Sequence, residues 1–174
     1  AMHRRITELA RATNTTTFMV VHAALAATLG RFGTSSRTVI GTPSAGRGHE
    51  ALDEMVGMFV GTVPLAVDVD LGASFTDLLA AVRRADLGAF AHSELPFERI
   101  VDAVATDRSL DRHPLFQVML AYDNAAHQSV DELPVEVLPI ETDTSEFDLN
   151  VVLTETPEGI SGQVEDAVDL FERD

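Results

Sequence analysis

The sequence contains no cysteine and no lysine, and each absence removes a class of chemistry. Without cysteine there is no disulfide framework, no thiolate nucleophile and no cysteine-based zinc site. Because all twelve basic residues are arginine, no lysine is available to form a Schiff base or to hold nucleotide phosphates. No stretch approaches the roughly 18 apolar residues of a membrane helix, and no signal peptide is recognisable. We therefore expect a cytoplasmic protein.

Acidic residues are abundant, and they are unevenly placed. The formal net charge is −16. Residues 128–174 hold fourteen of the acidic residues and a single arginine. Such a surface repels nucleic acid and anionic membranes, so we expect neither as a partner, and a charged partner should present a basic patch. Solubility is the simpler interpretation of the same charge.

The spacing of apolar residues predicts helices early in the chain and strands later. Helices are expected over 3–12, from Asn14 to Gly33, over 74–95 and over 96–104. Strands are expected over 37–43, 59–70, 114–124, 135–141, 147–159 and 160–171, and the segment 50–59 is expected to be a short helix or a loop. This order predicts one α/β (α+β) domain, residues 1–174, with helices packed on a mixed β-sheet.

Two helices carry more detailed predictions. The helix that starts at 74 opens with Ser74 and Asp77 at capping-box spacing. Its apolar stripe consists of Phe75, Leu78, Leu79, Val82 and Leu87. The helix between Asn14 and Gly33 is apolar on nearly all sides and is expected to be buried, with His22 as a hydrogen-bonded core residue.

The stretch "TVIGTPSAGRGHE" contains a glycine-rich turn that resembles a phosphate-binding loop at first sight. Arg47 and Gly48 stand where such a loop has lysine and a hydroxyl, and Pro43 removes a backbone donor. A hydrolase nucleophile elbow around Ser44 also fails, because Thr42 stands where a glycine is required. We therefore interpret the stretch as a structural glycine turn.

The six histidines do not suggest a metal site. None of them pairs at a metal-ligand spacing such as H-E-x-x-H, and no pair of carboxylates stands out as a general acid and base. No metal and no catalytic residue are predicted within the chain.

Three segments, "MVGMFVGTVPL", "HSELPFERIVD" and "RSLDRHPLFQVMLAYDN", resemble, in this order, the later core motifs of the condensation domains of nonribosomal peptide synthetases. The matching residues are Gly57, Phe59, Val60, Thr62, His92, Pro96, Phe97, Glu98, Arg108, Arg112, Pro114, Leu115, Phe116, Gln117 and Val118. The segment "VIGTPSAGR" is also similar to a family segment at a strand end. The resemblance continues through "FDLNVVLTETPEGISGQVEDAVDLF" and covers nearly the whole chain.

The sequence departs from the family pattern at several positions. Gly61 stands where the family usually has asparagine, His113 replaces asparagine before Pro114, and Glu94 follows Ser93 where an aspartate pattern is usual. The family's active-site motif, two adjacent histidines followed three residues later by Asp-Gly, does not occur in this sequence.

The resemblance implies one of two lobes that are each similar to chloramphenicol acetyltransferase. We expect the chain to be the C-terminal lobe, without the N-terminal lobe and without its own last helix. The implied reaction forms an amide between carrier-bound peptidyl (donor) and aminoacyl (acceptor) thioesters. As a fragment of an acyl (peptidyl) transferase the chain is expected to be inactive alone, and the sequence leaves open whether the whole is an active enzyme.

The implied partners are the N-terminal lobe, the carrier proteins and the adenylation domain of the same synthetase. No cofactor is expected to be bound by this lobe, since the carrier proteins bear the phosphopantetheine. An apolar face that the other lobe would cover should make the isolated chain self-associate.

The resemblance also places residues in roles. The candidates for a substrate tunnel are Ser44, Arg47, Gly57, Phe59, Gly61 and Thr62. Packing roles are expected for Pro96, Phe97, Leu115 and Phe116, and structural ion pairs for Arg108 and Arg112. Two alternatives stay open: a catalytically silent binding module that recruits a carrier protein or a tailoring enzyme, and an epimerization, heterocyclization or starter-acylating relative.

Overall fold

The computed structural model describes residues 2–33, 35–48, 50–52, 54–104, 112–123, 144–156 and 158–171. In these ranges the helices are α1 (Met2–Ala12), α2 (Thr17–Phe32), α3 (Phe75–Phe90) and α4 (Phe97–Val104). The strands are β1 (Arg37–Ser44), β2 (Gly61–Asp68), β3 (Val118–Asp123), β4 (Leu149–Thr156) and β5 (Gly159–Asp166), and Glu50–Leu52 form a short 3-10 helix. The strand predicted over 135–141 lies outside the described residues.

The strands form one mixed sheet in the order β2-β1-β3-β4-β5. The outer pairs, β1 with β2 and β4 with β5, are antiparallel. The inner pairs, β1 with β3 and β3 with β4, are parallel. The predicted fold class is therefore confirmed, and the carboxyl ends of β1, β3 and β4 lie at the same edge of the sheet.

One face of the sheet forms the core beneath the helices. Ile40 of β1 pairs with Leu65 of β2, and both are fully buried, as is Leu120 of β3. Leu79 and Val82 of α3 belong to the buried side chains of the same region, and α2 contributes Ala23 and Ala26. Each large apolar side chain buried in this way contributes about 1.5–3 kcal/mol.

Local hydrogen bonds fix the first turns of two helices. Thr16 caps α2 by accepting a bond from the Met19 amide. At α3, the Asp77 amide donates to Ser74 Oγ over 3.2 Å, and the Ser74 amide donates to Asp77 Oδ2 over 3.2 Å, so the capping box is confirmed. The hydrogen bonds from Ser74 hold the pKa of Asp77 below its ordinary value.

The inward face of α3 differs from the predicted stripe. Leu78, Leu79 and Val82 are buried as expected, whereas Phe75 is 38% exposed and Leu87 is 49% exposed. The next inward position after Val82 is Asp86, one helical turn further on, and it is fully buried. The predicted stripe is therefore wrong at both ends. At its carboxyl-terminal end, the helix turns the Asp86 carboxylate and not Leu87 towards the core.

Asp86 is inward because it has a partner on α2. His22 Nδ1 lies 2.9 Å from Asp86 Oδ1, and both side chains are fully buried, so the prediction of a hydrogen-bonded core histidine is confirmed. The expectation that α2 is buried holds on this side only, since Phe32 in its last turn is 85% exposed. No helix in the ranges described above is long and apolar enough to span a membrane.

Candidate functional site

The predicted glycine turn joins two neighbouring strands at one end of the sheet. Ser44, the last residue of β1, lies opposite Gly61, the first residue of β2, and Pro43 lies opposite Thr62. Ser44, Gly61 and Thr62 are half-buried. The structure therefore brings together three of the six tunnel candidates, and residues 45–60, the β1–β2 loop, connect them.

Arg47 organises this loop from within. Its guanidinium carbon lies 4.5 Å from the centre of the Phe59 ring, and Nη2 donates to the Met55 carbonyl over 2.9 Å. Nη1 donates to the Leu52 carbonyl. Gly46 has a φ of 64°, and a β-carbon there would lie 1.7 Å from the Phe59 carbonyl oxygen. Arg47 and Phe59 thus shape the loop, and their place beside a substrate tunnel stays a prediction.

The outer part of the loop exposes apolar side chains. Met55 is 51% exposed, Val56 103%, Met58 89% and Val60 59%. These four residues, the loop patch, flank Gly57, which is itself exposed. Contiguous exposed apolar side chains are typical of surfaces that another protein segment covers.

The segment "HSELPFE" consists of the turn between α3 and α4 and the first two residues of α4, and it lies close to the loop. The Nδ1 atom of His92 lies 3.0 Å from the carbonyl oxygen of Gly88. A β-carbon on Gly48 of the loop would lie 3.3 Å from Glu94 Oε1. Pro96 is exposed, so the packing role predicted for it is wrong: with its fixed φ it precedes the first residue of α4.

Two further residues of this segment belong to α4. Phe97 is half-buried, and Glu98 is exposed in the first turn, where a carboxylate is favourable near the helix amino terminus.

Phe116 is the centre of an aromatic cluster on the face of the sheet that Gly41 presents. Its ring centre lies 4.0 Å from that of His113, 5.6 Å from that of Phe147 and 5.9 Å from that of Phe97. Phe116 is 1% exposed, and a β-carbon on Gly41 would lie 2.3 Å from its ring. Burial lowers the pKa of His113. The packing role predicted for Phe116 is confirmed.

The rest of the third motif is largely at the surface. Gln117 Nε2 donates to the His113 carbonyl over 3.0 Å and so fixes the turn before β3. Leu115 is half-buried, while Pro114 and Arg112 are exposed. Arg108 lies outside the described residues. The ion pairs predicted for Arg108 and Arg112 stay predictions.

A cavity of about 480 Å³, the strand-end pocket, opens at the carboxyl ends of β1, β3 and β4. It is lined by Thr7, Ala10, Arg11, Thr15, Thr16, Thr17, Phe18, Thr42, Pro43, Phe90, Tyr122 and Glu155. Thr42 and Pro43 precede Ser44, so the pocket adjoins the glycine turn. Sequence reasoning missed the pocket, although ligands commonly bind outside the carboxyl ends of parallel strands.

Hydrogen bonds on the pocket wall connect distant parts of the chain. Tyr122 donates its hydroxyl to Glu155 Oε2 over 2.6 Å, and His3 Nε2 lies 2.7 Å from Glu155 Oε1. The bond from Tyr122, and then the one from His3, hold the pKa of Glu155 below its ordinary value. Burial, and then Glu155, raise the pKa of Tyr122. At neutral pH the pocket therefore presents an anionic carboxylate beside a neutral phenol.

The fold and the ordered motifs define a domain of the nonribosomal peptide synthetase type. A family model described as "Condensation domain" matches residues 1–174. The chain therefore belongs to the condensation domain family.

Individual relatives support the assignment to this family. A dimodular nonribosomal peptide synthase of Bacillus subtilis (strain 168) is 38% identical over 180 residues, which cover 99% of this chain and 8% of that protein. The X-domain from teicoplanin biosynthesis is 31% identical, with a TM-score of 0.86 over 98% of this chain and 40% of that one. In its complex with OxyB, the X-domain is 32% identical, with a TM-score of 0.83 over 98% of this chain and 38% of that one. The chain thus spans less than half the length of each of these relatives.

Proposed function

We propose that the chain is the C-terminal lobe of a condensation domain that forms amide bonds between carrier-bound donor and acceptor thioesters. The observation that carries the proposal is the family match over residues 1–174, in a sequence without the His-His-x-x-x-Asp-Gly motif. The catalytic histidines then belong to a preceding N-terminal lobe. The 174-residue chain supplies a wall of the reaction tunnel and a docking surface, and by itself it is inactive.

The proposed reaction needs orientation more than it needs groups from this chain. The acceptor amine attacks the donor carbonyl carbon, the C–N bond forms, the C–S bond breaks, and the amine proton finally resides on the released thiol. Holding two tethered substrates in line supplies a large share of such a rate. Ser44, Gly61 and Thr62 support this role because they lie together at one end of the sheet.

The loop patch supports the proposal of a missing lobe. Val56 and Met58 are almost fully exposed, although Arg47 holds the loop that carries them in a defined shape. A shaped loop with an apolar outer side fits a surface that the N-terminal lobe covers in the complete domain. In the isolated chain the same surface favours self-association.

The proposed partners follow from the reaction. Two carrier proteins bring the donor and the acceptor on phosphopantetheine, and an adenylation domain of the same synthetase loads the acceptor. The lobe itself binds no resident cofactor in this scheme.

The test compares the 174-residue chain with a protein that also contains the preceding lobe encoded by the same gene. Both are incubated with a loaded donor carrier and a loaded acceptor carrier, and the acceptor carrier is weighed intact by mass spectrometry. We expect the amide product from the two-lobe protein only. Turnover by the 174-residue chain alone would refute the division of roles, and no turnover despite an intact His-His motif would refute amide formation.

A second candidate function is a catalytically silent module that recruits another protein. The X-domain–OxyB complex favours it, because that X-domain is 32% identical to this chain and has a TM-score of 0.83. The two functions differ in the preceding lobe: a degraded His-His motif, combined with stable binding of an enzyme encoded beside the synthetase, would support recruitment and remove catalysis.

A further inference from the structure

The strand-end pocket contains a carboxylate that still has room for a ligand. Glu155 lines the cavity and contacts His3, and its side chain is 25% exposed. A carboxylate offers about four lone-pair sites. Tyr122 and His3 occupy one site on each oxygen, so about two acceptor sites of this cavity-lining carboxylate remain.

Aromatic rings form another wall of the same cavity. The ring centres of Phe18 and Phe90 are 6.1 Å apart with planes at 68°, and those of Phe18 and Tyr122 are 6.2 Å apart with planes at 71°. A cation gains attraction from aromatic faces as well as from a carboxylate. An anionic ligand would gain from neither. It would also be repelled by the Glu155 carboxylate, which its lowered pKa keeps ionised.

The remaining charges do not reverse this preference. Arg11 is the other charged residue that lines the cavity within the described ranges, and it is exposed, so water screens it. The 174-residue chain carries a formal net charge of −16, which on average favours a cation over an anion near its surface. A cavity with an anionic wall, three rings and threonine hydroxyls matches a small, singly charged ammonium group.

We propose that the strand-end pocket binds a primary ammonium group, with Glu155 as its anionic partner, and that the natural ligand is the amino end of an aminoacyl thioester. This inference rests on the proposed amide-forming function and names the part of the lobe that recognises the acceptor. Glu155 holds the protonated amino group before the reaction, and the group loses its extra proton to water before it attacks as a neutral amine. Tyr122 and His3 keep the carboxylate in place.

The test uses a reporter that the sequence provides. Tyr122 is the single tyrosine of a chain without tryptophan, so its fluorescence reports on the pocket alone. The 174-residue protein is titrated with alanine methyl ester at about pH 7.2, above the ordinary histidine pKa of about 6.5 and below the ordinary α-amino pKa of about 7.7. N-acetylalanine methyl ester has a similar shape without the charge. We expect a saturable fluorescence change with the first ester and none with the second.

Variants separate the carboxylate from a general effect of charge. Glu155→Gln should weaken binding of the ester by about tenfold or more, because it removes a charged hydrogen bond. Glu155→Asp keeps the charge and should restore part of the affinity. Glu158→Gln makes the same charge change at an exposed position outside the pocket and should leave the affinity unchanged. Circular dichroism verifies that each variant is folded.

Several outcomes would overturn the proposal: equal binding of the acetylated ester, unchanged affinity in Glu155→Gln, or no saturation with either ester. In the two-lobe protein, Glu155→Gln should raise the KM for the acceptor about tenfold with little change in kcat. Amide formation with an unchanged KM would overturn the pocket's role and leave condensation standing. Charge-dependent ester binding by a two-lobe protein that forms no amide would support the pocket and refute condensation.

Discussion

Replacing Gly41 by alanine tests the packing between β1 and the third motif. Gly41 lies in the middle of β1, and a β-carbon there would lie 2.3 Å from the Phe116 ring. The ring has little freedom to retreat, because Phe116 is 1% exposed and three other rings surround it. Gly41→Ala therefore forces either the strand or the ring to shift.

The expected cost combines two opposing effects. Overpacking a close-packed site by one methyl group costs about 1–3 kcal/mol. The alanine also restricts the unfolded chain, which stabilises the protein by about 0.4–1 kcal/mol. We expect a net loss of about 1–2 kcal/mol, or a fall of about 2–8 °C in Tm for a domain of this size. Phe116→Leu should relieve the clash, so the double variant should be more stable than the sum of the single changes by about 1 kcal/mol.

Urea unfolding followed by circular dichroism measures these free energies. Gly88→Ala is the matched control: Gly88 lies inside α3, and a β-carbon there meets no atom within 4 Å. It should stabilise the protein by about 0.5–1 kcal/mol, since glycine is unfavourable in a helix. The reasoning fails if Gly41→Ala is as stable as the native protein, or if the changes at 41 and 116 are strictly additive.

Four further predictions concern the pocket, a helix cap and the loop. The raised pKa of Tyr122 predicts that its phenol ionises at a higher pH in the folded protein than after unfolding. The stability that this group contributes is lost as the pH rises through the pKa of the folded state. Absorbance at about 295 nm follows the ionisation. The lowered pKa of Glu155 predicts the opposite pH dependence: its contribution to stability disappears as the pH falls through the pKa of the folded state. Glu155→Gln should therefore flatten the acid limb of a Tm–pH profile. Ser74→Ala should cost about 1 kcal/mol by removing the cap of α3, measured by urea unfolding. Arg47→Lys should increase chymotryptic cleavage after Phe59 without a comparable fall in Tm. Lysine lacks the planar guanidinium with which Arg47 contacts two carbonyls and the Phe59 ring at once.

Each of these predictions has a contrary result. A phenol that ionises equally in the folded and unfolded protein would contradict the burial of Tyr122 and its contact with Glu155. A Glu155→Gln profile with the native acid limb would contradict the role of that carboxylate. An unchanged stability of Ser74→Ala would contradict the capping box. Arg37→Lys, at an exposed position 4.0 Å from Asp68, is the control for the loop, and equal protease sensitivity of the two lysine variants would contradict the role of Arg47.

Elements that depend on neighbouring residues could be predicted from the sequence. The capping box of α3 involves residues three positions apart, and its chemistry is visible in the sequence alone. The alternation in β2 places Val67 in the core and Asp68 outside, as the pattern indicates. The first and second helices also begin and end close to the predicted residues.

Contacts between distant residues could not be predicted in this way. His3 and Glu155 are 152 positions apart, and no local pattern joins them. Asp86 was missed as a core residue because a carboxylate is rarely buried without a partner, and its partner His22 lies on another helix. Arg47 was predicted from the family motif, but its contacts depend on the path of the β1–β2 loop.

The parallel pairing of the inner strands has a consequence for the order of assembly. Glu155 is the last of the residues that line the cavity to be synthesised. About 150 residues separate it from the first turn of α1. At about 5–20 residues per second, a ribosome needs roughly 8–30 s to add them. During this time the early helices and the β1–β2 pair have to persist with an open sheet edge. A chain released before Glu155 contains the residues of α1 to α4 and lacks the carboxylate of the pocket.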